Sequence, residues 1–389
     1  MSMRKVVIIG VGMHPCGKFL DKSLKDLGQV AIWDAINDAG IDAKKIEVAY
    51  MSNCVAGLIT GEENVRGQRV LRASGISRIP VINVENACAS GSTAIRGAYL
   101  EVASGMHDIA LAAGVEKMFC GNTTREVKAV SANADLELLA TGVQFTALYA
   151  ISVRDYMRKY GATPEHFAKV VVKNSYNGSL NPYAQHRKPL TIDQILNSRM
   201  IADPLTLYMC CSIGDGAAAA ILCTEEVARR YTSKPLVEIA ACELGSGRFK
   251  TGYLEGPDLT ELVAQDAFRA AGVTPQDIDV AEVHDAMAPA ELLLYEELGF
   301  CQKGEAIRMI DEGRTKIGGD IPVNPSGGLA AKGHPIGATG VAQVAEIVWQ
   351  LRGEAGLRQV ASPKIGLVQN RGGFIDGDDA AAAVIILKR

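Results

Sequence analysis

The chain has 389 residues, 48% of them hydrophobic and 22% charged, and carries a formal net charge of −4. No Lys/Arg run is present, no apolar run approaches the ~20 residues that span a bilayer, and the nine cysteines contain no CxxC pair. These features exclude a nucleic-acid binder, a transmembrane protein, a CxxC-type zinc site and a disulfide framework, and they fit a soluble protein of a reducing cytoplasm.

At ~150 residues per domain the length suggests two or three units. The opening Val6-Val7-Ile8-Ile9-Gly10 is too short an apolar run for a signal peptide and predicts a first core strand. Next comes an amphipathic helix, Ala31 to Ala39, closed by Gly40 and followed by a strand through Val48-Ala49-Tyr50. A strand-like run, Ile79 to Val84, then leads into Asn86-Ala87-Cys88-Ala89-Ser90-Gly91, and a helix is predicted from Thr93 to Met106. Cys88 is thereby placed at or near the first turn of a helix. Unpaired N–H groups there favour a thiolate, and small neighbours let a substrate approach. Cys88 is the candidate nucleophile.

Residues 121–205 are more polar and hold Tyr149, Tyr156, Tyr160, Tyr176 and Tyr183. An insertion of this kind covers a site or builds an interface, or is an ordinary structural excursion. Beyond it the first pattern returns. Val263 to Val273, with the strand at Val280, matches the earlier helix and strand without gaps: Asp34 with Asp266, Gly40 with Gly272, Ile46 with Ile278, Val48 with Val280. Gly214-Asp215-Gly216-Ala217 and Gly377-Asp378-Asp379-Ala380 form a second pair in the same order. Two such matches imply an internal duplication of α/β halves. The first half is residues 1–120 plus 206–232, the second is 233–389, and 121–205 is a loop domain inserted over the active site.

The remaining candidates lie in the second half. His284-Asp285-Ala286 aligns with Ser52-Asn53-Cys54 at a strand end, where doubly wound folds place ligands. His284 is read as functional and Asp285 as the cap of a helix from Glu291. His334 sits in a glycine-rich loop, Asn324 to Gly340, before a helix from Val341 to Leu351. It can deprotonate a thiol or donate to an oxyanion. Gly366 to Gly373 reads as a strand entering a turn whose N–H groups suit an oxyanion. His14, His107, His166 and His186 are read as structural or surface residues. Cys210 and Cys211, adjacent on a presumed strand, should point apart, and neither is a nucleophile candidate.

Together the Asn-Ala-Cys-Ala-Ser-Gly box, Asp215-Gly216-Ala217-Ala218, His284-Asp285, the Gly-His-Pro-Ile-Gly-Ala box and the C-terminal glycine turn resemble the thiolase superfamily. The likeness covers nearly the whole chain. Within the superfamily it is nearest the sterol-carrier-protein-type thiolases and their bacterial and archaeal acetyl-CoA acetyltransferase-like relatives. The resemblance implies a five-layered α/β/α/β/α fold and a homodimer or dimer of dimers. It also implies coenzyme A thioester chemistry, with coenzyme A as substrate, no tightly bound cofactor and no metal. Cys88 would take the acyl group, and His334 would activate it and help bind the thioester oxygen. His284 would hold a catalytic water or donate to the oxyanion. The N–H groups of Cys88 and of Gly372 or Gly373 would form a second oxyanion hole, and Ser212 and Gly333 would bind coenzyme A. Several relatives of this branch work with a small OB-fold and zinc-ribbon protein, so such a partner is expected.

The chain departs from the family at two places. Thiolases of the common type carry a second, acid/base cysteine in the C-terminal turn. Sterol-carrier-type enzymes carry His-Asp-Cys-Phe and a C-terminal His-Asn box. Here Ala286 and Gln369 stand at those positions, and neither transfers a proton. Three readings follow. One is a true thiolase in which His284, His334 or a water moves the proton, acting on a branched or aromatic acyl group. Another is a retro-aldolase of a β-hydroxyacyl-CoA. The last is a non-catalytic subunit that binds coenzyme A esters. The intact Cys88 and His334 boxes favour the first.

Overall fold

The computed structural model describes residues 3–134, 136–247, 257–375 and 377–389. Its strands are β1 (Val6–Gly17), β2 (Val48–Ser52), β3 (Val81–Val84), β4 (Ile109–Glu116), β5 (Met200–Ala202), β6 (Leu205–Thr206), β7 (Asp215–Thr224), β8 (Val237–Ser246), β9 (Val280–Glu282), β10 (Ile365–Ile375) and β11 (Asp378–Lys388). Nine of them hydrogen-bond in the order β3-β2-β4-β7-β1-β8-β11-β10-β9. The order reads as two copies meeting in the middle: β1 answers to β8, β7 to β11, β4 to β10 and β2 to β9. Within the sheet the copies join where β1 and β8 pair, Val7 with Glu238 and Ile8 with Val237. The alignment found in the sequence is therefore a spatial one. Gly40 and Gly272 occupy the same place in the two copies, each ending a helix in the left-handed conformation, at φ 67° and 63°.

Strand alternation sorts the apolar residues into three cores. Val7 and Ile9 face an outer core with the helix Leu24–Ala39. Val6 and Ile8, which alternate with them in sequence, face a middle core with the helices Ser90–Ser104 and Thr339–Arg352. In the second copy Val384 and Ile386 face an outer core with the helix Leu259–Ala271, while Ile385 and Leu387 face the middle. Each such side chain contributes ~1.5–3 kcal/mol when fully buried. The result is five layers: helix, sheet, two central helices, sheet, helix.

The segment between the parts of the first copy is mostly helical. It contains Thr123–Ser131, Leu136–Ala140, Phe145–Tyr160, Pro164–Ser179 and Ile192–Leu196, followed by the β5–β6 hairpin. Phe167, Val170 and Val171 bury themselves in the second copy's outer core beside Leu292 and Tyr295. No helix among the described residues is long and apolar enough to cross a membrane, and all nine cysteines are free.

Candidate active site

The two central helices meet at their N-termini. A Cβ added at Gly91 would stand 2.8 Å from the backbone nitrogens of Gly340 and Val341, and one at Gly340 would stand 2.4 Å from Ser92 N. Only glycine lets the two backbones touch. The contact brings the segment just before each helix together, and those segments carry Cys88 and His334.

Cys88 sits on a tight turn between β3 and the first central helix. Ala87 is held at φ 46°, which costs a residue with a Cβ ~1–2 kcal/mol. The turn is closed by Ala89 N–H to Asn86 O at 2.9 Å and by Ser90, whose N–H and hydroxyl both donate to Ala87 O, at 3.1 and 2.6 Å. The helix begins at Ser90, three residues earlier than the sequence pattern suggests, so Cys88 precedes it by two.

The charge state differs from the sequence expectation. Burial pushes the Cys88 thiol up to about 12, and Glu116, Asp379 and Glu85 act in the same direction. The resting sulfur is a neutral thiol, because desolvation outweighs the field of the helix start. Its partner is neutral too. His334 Nε2 lies 3.2 Å from Cys88 Sγ, and burial, with Lys332, pushes this imidazole down to about 3.

The tautomer of His334 follows from its other nitrogen. Nδ1 is 2.8 Å from Thr339 Oγ1, and the Thr339 hydroxyl donates its only proton to Pro335 O at 3.0 Å. Thr339 can then only accept, so Nδ1 carries the hydrogen and Nε2 presents its lone pair to the thiol.

His284 completes the cluster. It is 2% exposed, and neither ring nitrogen has a hydrogen-bond partner. Its ring centroid is 5.0 Å from that of His334 at 76°. Cys88 Sγ and the nearest imidazole nitrogens of His284 and His334 all lie within 4.8 Å of one another. Burial, then His334 and Arg371, push the His284 imidazole well below its usual value, so it too is neutral. Gln369 stays out of the cavity. Its Oε1 accepts the His284 backbone N–H at 3.0 Å while Nε2 donates to Thr260 Oγ1, so it positions His284. Ala286 lines the cavity and fills little of it.

Glu116 ties the frame together. Its buried carboxylate accepts from the backbone N–H groups of Cys54, Val55, Ala56 and Gly337, at 2.8–3.2 Å, and from Asn53 Nδ2 at 3.0 Å. Burial raises it to about 7 against those donors. The chain around Asn53 is thereby joined to the loop that carries His334.

These groups open into one cavity of about 230 Å³, walled by Val130, Phe145, Tyr149, Ile201, Leu207 and Met287 among others. Four of the six come from the inserted segment. Gly373, at φ 69°, and Gly372 form part of the wall. Gly372 presses on the nucleophile turn: a Cβ there would be 2.4 Å from Asn86 O and 2.6 Å from Cys88 N. Ser212 also lines the cavity, its hydroxyl 2.8 Å from His186 Nε2. Gly333 does not; it lies at φ 111° against Cys16 and Gln185.

Two further expectations are corrected. Asp285 does not start the helix near Glu291, which begins at Ala288 with Met287 before it. Asp285 is fully buried, accepts from Leu329 N–H at 2.7 Å and Asn174 Nδ2 at 2.9 Å, and caps the turn at Gly328–Ala331. Cys210 and Cys211 do not point apart on a strand. They follow the 3₁₀ turn Leu207–Met209 and both line the cavity, with Cys211 N–H donating to Ala286 O at 3.0 Å. Thr339, Glu116, Arg371 and Cys211 are site residues that the sequence reading passed over. For Thr339 a signal was available, five residues after His334 and at the start of the helix that follows the loop.

Comparison with known proteins gives the family. Residues 6–226 match the family model "Thiolase, N-terminal domain" and residues 257–389 match "Thiolase C-terminal domain-like". The chain is 44% identical to an acetyl-CoA acetyltransferase of Methanothermobacter thermautotrophicus, covering 100% of both. It is 38% identical to sterol carrier protein 2 of Gallus gallus, over 96% of this chain and 70% of that one. It is also 36% identical to the benzoylsuccinyl-CoA thiolase subunit BbsB of Thauera aromatica, over 95% of each. Among solved structures, the Ltp2-ChsH2(DUF35) aldolase superposes with a TM-score of 0.80 at 27% identity, over 98% of this chain and 97% of that one.

Proposed function

The chain belongs to the thiolase family and is an acyl-CoA C-acyltransferase; from that premise we propose that it cleaves a 3-oxoacyl-CoA with coenzyme A, or runs the reverse condensation, with His334 as the single proton shuttle. The neutral Cys88–His334 pair at 3.2 Å carries this reading.

The Cys88 sulfur attacks the C3 carbonyl carbon as its proton passes to His334 Nε2, the nitrogen that Thr339 leaves free. The C3 oxyanion is held by the N–H groups of Cys88 and Gly373. The C2–C3 bond then breaks, leaving the acyl group on Cys88 and an enolate on the departing acetyl-CoA. The imidazolium of His334, whose neutral form is strongly favoured here, returns its proton to that carbon. His284 donates its one N–H to the thioester oxygen and stabilises the enolate. Coenzyme A then attacks the acyl-thioester, with His334 taking and returning a proton again. No second cysteine is needed, because the proton lost by Cys88 is the one the enolate gains. Cys211, next to Ala286 in the wall, is the alternative donor.

The apolar wall of Val130, Phe145, Leu207 and Met287 favours a branched or aromatic acyl group, and the likeness to a benzoylsuccinyl-CoA thiolase subunit supports the same class. The position of Ser212 in the cavity wall supports a contact with coenzyme A. The aldolase likeness favours a second reading, retro-aldol cleavage of a β-hydroxyacyl-CoA, and its two-part name supports a small partner subunit beside a homodimer or dimer of dimers.

The test is an acyl-CoA panel read for coenzyme A consumption, with mass spectrometry of the protein. The thiolase reading expects an acyl adduct on Cys88 and no turnover in Cys88→Ala. Full activity in that variant sinks it. Release of an aldehyde or ketone without added coenzyme A favours the aldolase. Loss of enolate protonation in Cys211→Ala, with Cys88 acylation intact, moves the proton from His334 to Cys211.

A further inference from the structure

Cys88, His284 and His334 are a set of donors as well as a set of catalysts. One sulfur and two imidazole nitrogens, all within 4.8 Å of one another, converge from three distant parts of the chain. We propose that the acyl-free site also binds one thiophilic divalent cation, zinc above all, through Cys88 Sγ, a ring nitrogen of His284 and Nε2 of His334.

Four observations carry this. The first is donor chemistry: one thiolate with two imidazoles is a set that zinc takes readily. Zinc–sulfur and zinc–nitrogen bonds of ~2.3 and ~2.0–2.1 Å place tetrahedral donors roughly 3.5 Å apart, so the Cys88–His334 pair already fits and His284 closes by at most about an ångström. The second is His284 itself, buried with both ring nitrogens unpartnered. A buried polar atom left unpaired costs ~1–3 kcal/mol, and a metal bond removes that cost for the ring nitrogen that binds. The third is the shell behind His334. A metal-binding histidine fixes its lone pair by donating its other N–H, and Thr339 accepts such a hydrogen here at 2.8 Å. The fourth is access. All three residues line the cavity, which supplies an entry path and a fourth position for water or an anion. The charges nearby divide: the carboxylates of Glu116, Asp379 and Glu85 act on the sulfur, Arg371 and Lys332 on the imidazoles.

The binding step is balanced without redox change. The Cys88 S–H bond breaks, a zinc–sulfur bond forms, and one proton leaves to solvent. Zinc draws charge from the sulfur and holds it away from a carbonyl, and metal-bound Nε2 has no lone pair left to accept a proton. Zinc and the acyl group therefore exclude each other, and zinc acts as a reversible off-switch.

The experiment needs no acyl-CoA, so its outcome is independent of the reaction proposed above. Chelator-treated full-length protein is titrated with ZnCl2 by calorimetry and with CoCl2 by absorption, and Cys88 alkylation by iodoacetamide is followed by mass spectrometry. The expected result is one metal per chain and a thiolate-to-cobalt charge-transfer band. Zinc slows Cys88 alkylation at least about tenfold, and a chelator reverses this. Cys88→Ser abolishes the band, His284→Ala weakens binding by about 100-fold, and Cys54→Ser leaves both unchanged. An alkylation rate in the wild-type protein that zinc does not alter overturns the proposal, as does binding that survives Cys88→Ser or is lost in Cys54→Ser.

Discussion

Thr339 determines what His334 can do: because its hydroxyl donates to Pro335 O, it can only accept from Nδ1, and Nε2 faces Cys88 as a base. Thr339→Val keeps the shape and removes the acceptor. The expected outcome is a fall in kcat on the order of 10–100-fold with KM little changed, as for loss of a group that orients a general base. Thr339→Ser should restore most of the rate. Steady-state kinetics with the best acyl-CoA substrate checks it, and an unchanged kcat in the valine variant removes Thr339 from the mechanism.

The neutral resting pair predicts a particular pH behaviour. With the Cys88 thiol pushed up to about 12, only the thiolate fraction alkylates, so the iodoacetamide rate should rise about tenfold per pH unit, with no plateau near neutrality. A plateau around pH 7 would mean a thiolate–imidazolium pair instead. The same shift acts on stability. A thiol whose folded value is raised holds its proton longer than the unfolded chain does, so its contribution is complete below about 9 and is lost as pH rises towards about 12. Cys16, raised to about 11, and Cys242, to about 12, carry the same sign. His334, lowered to about 3, works at the other end: its contribution is present above about 6.5 and is lost as pH falls through that value towards about 3. Urea midpoints across pH should fall on both sides.

Much of this arrangement was legible in the sequence. The duplication could be read because a helix closed by glycine and a buried strand recur at one spacing, and the sheet order repeats it. Cys88 and His334 could be singled out because each sits in a run of glycine or small residues at an element boundary, and His284 because the repeat places it at a strand end. What could not be read was burial. The helix start that favours a thiolate is overruled by desolvation, which depends on packing from both copies and the insertion. Asp285 looked like a cap for the next helix in sequence and caps a turn more than forty residues away. Cys211 lines the cavity because a 3₁₀ turn breaks the alternation that adjacent strand residues would show.

Glu116 has no counterpart in the sequence reading, and its role is mechanical. Glu116→Gln keeps the shape but turns an amide NH2 towards N–H groups that now donate to a carboxylate oxygen. The expected loss is about 3 kcal/mol, the scale of breaking a buried charged hydrogen-bond set. Urea denaturation reads it directly. A variant as stable as the parent would show that the chain around Asn53 and the His334 loop are held by packing alone.

Gly91→Ala tests the helix contact. The added methyl stands 2.8 Å from two backbone nitrogens, and overpacking of this kind costs ~1–3 kcal/mol. Relief requires the central helices to part, which lengthens the Cys88–His334 distance. Acylation of Cys88, read by mass spectrometry, should slow more than tenfold even where the protein remains folded. Unaltered acylation would show that the turn at Ala87 sets the geometry by itself.

The glycine contact between the central helices has one more consequence. Two identical halves related by symmetry would present the same side chain twice at that junction, thiol against thiol or imidazole against imidazole. Joining them in one polypeptide releases the pair from that constraint. One helix start can then hold a sulfur and the other a ring nitrogen, and the acid–base asymmetry of the reaction is built on a nearly symmetric scaffold.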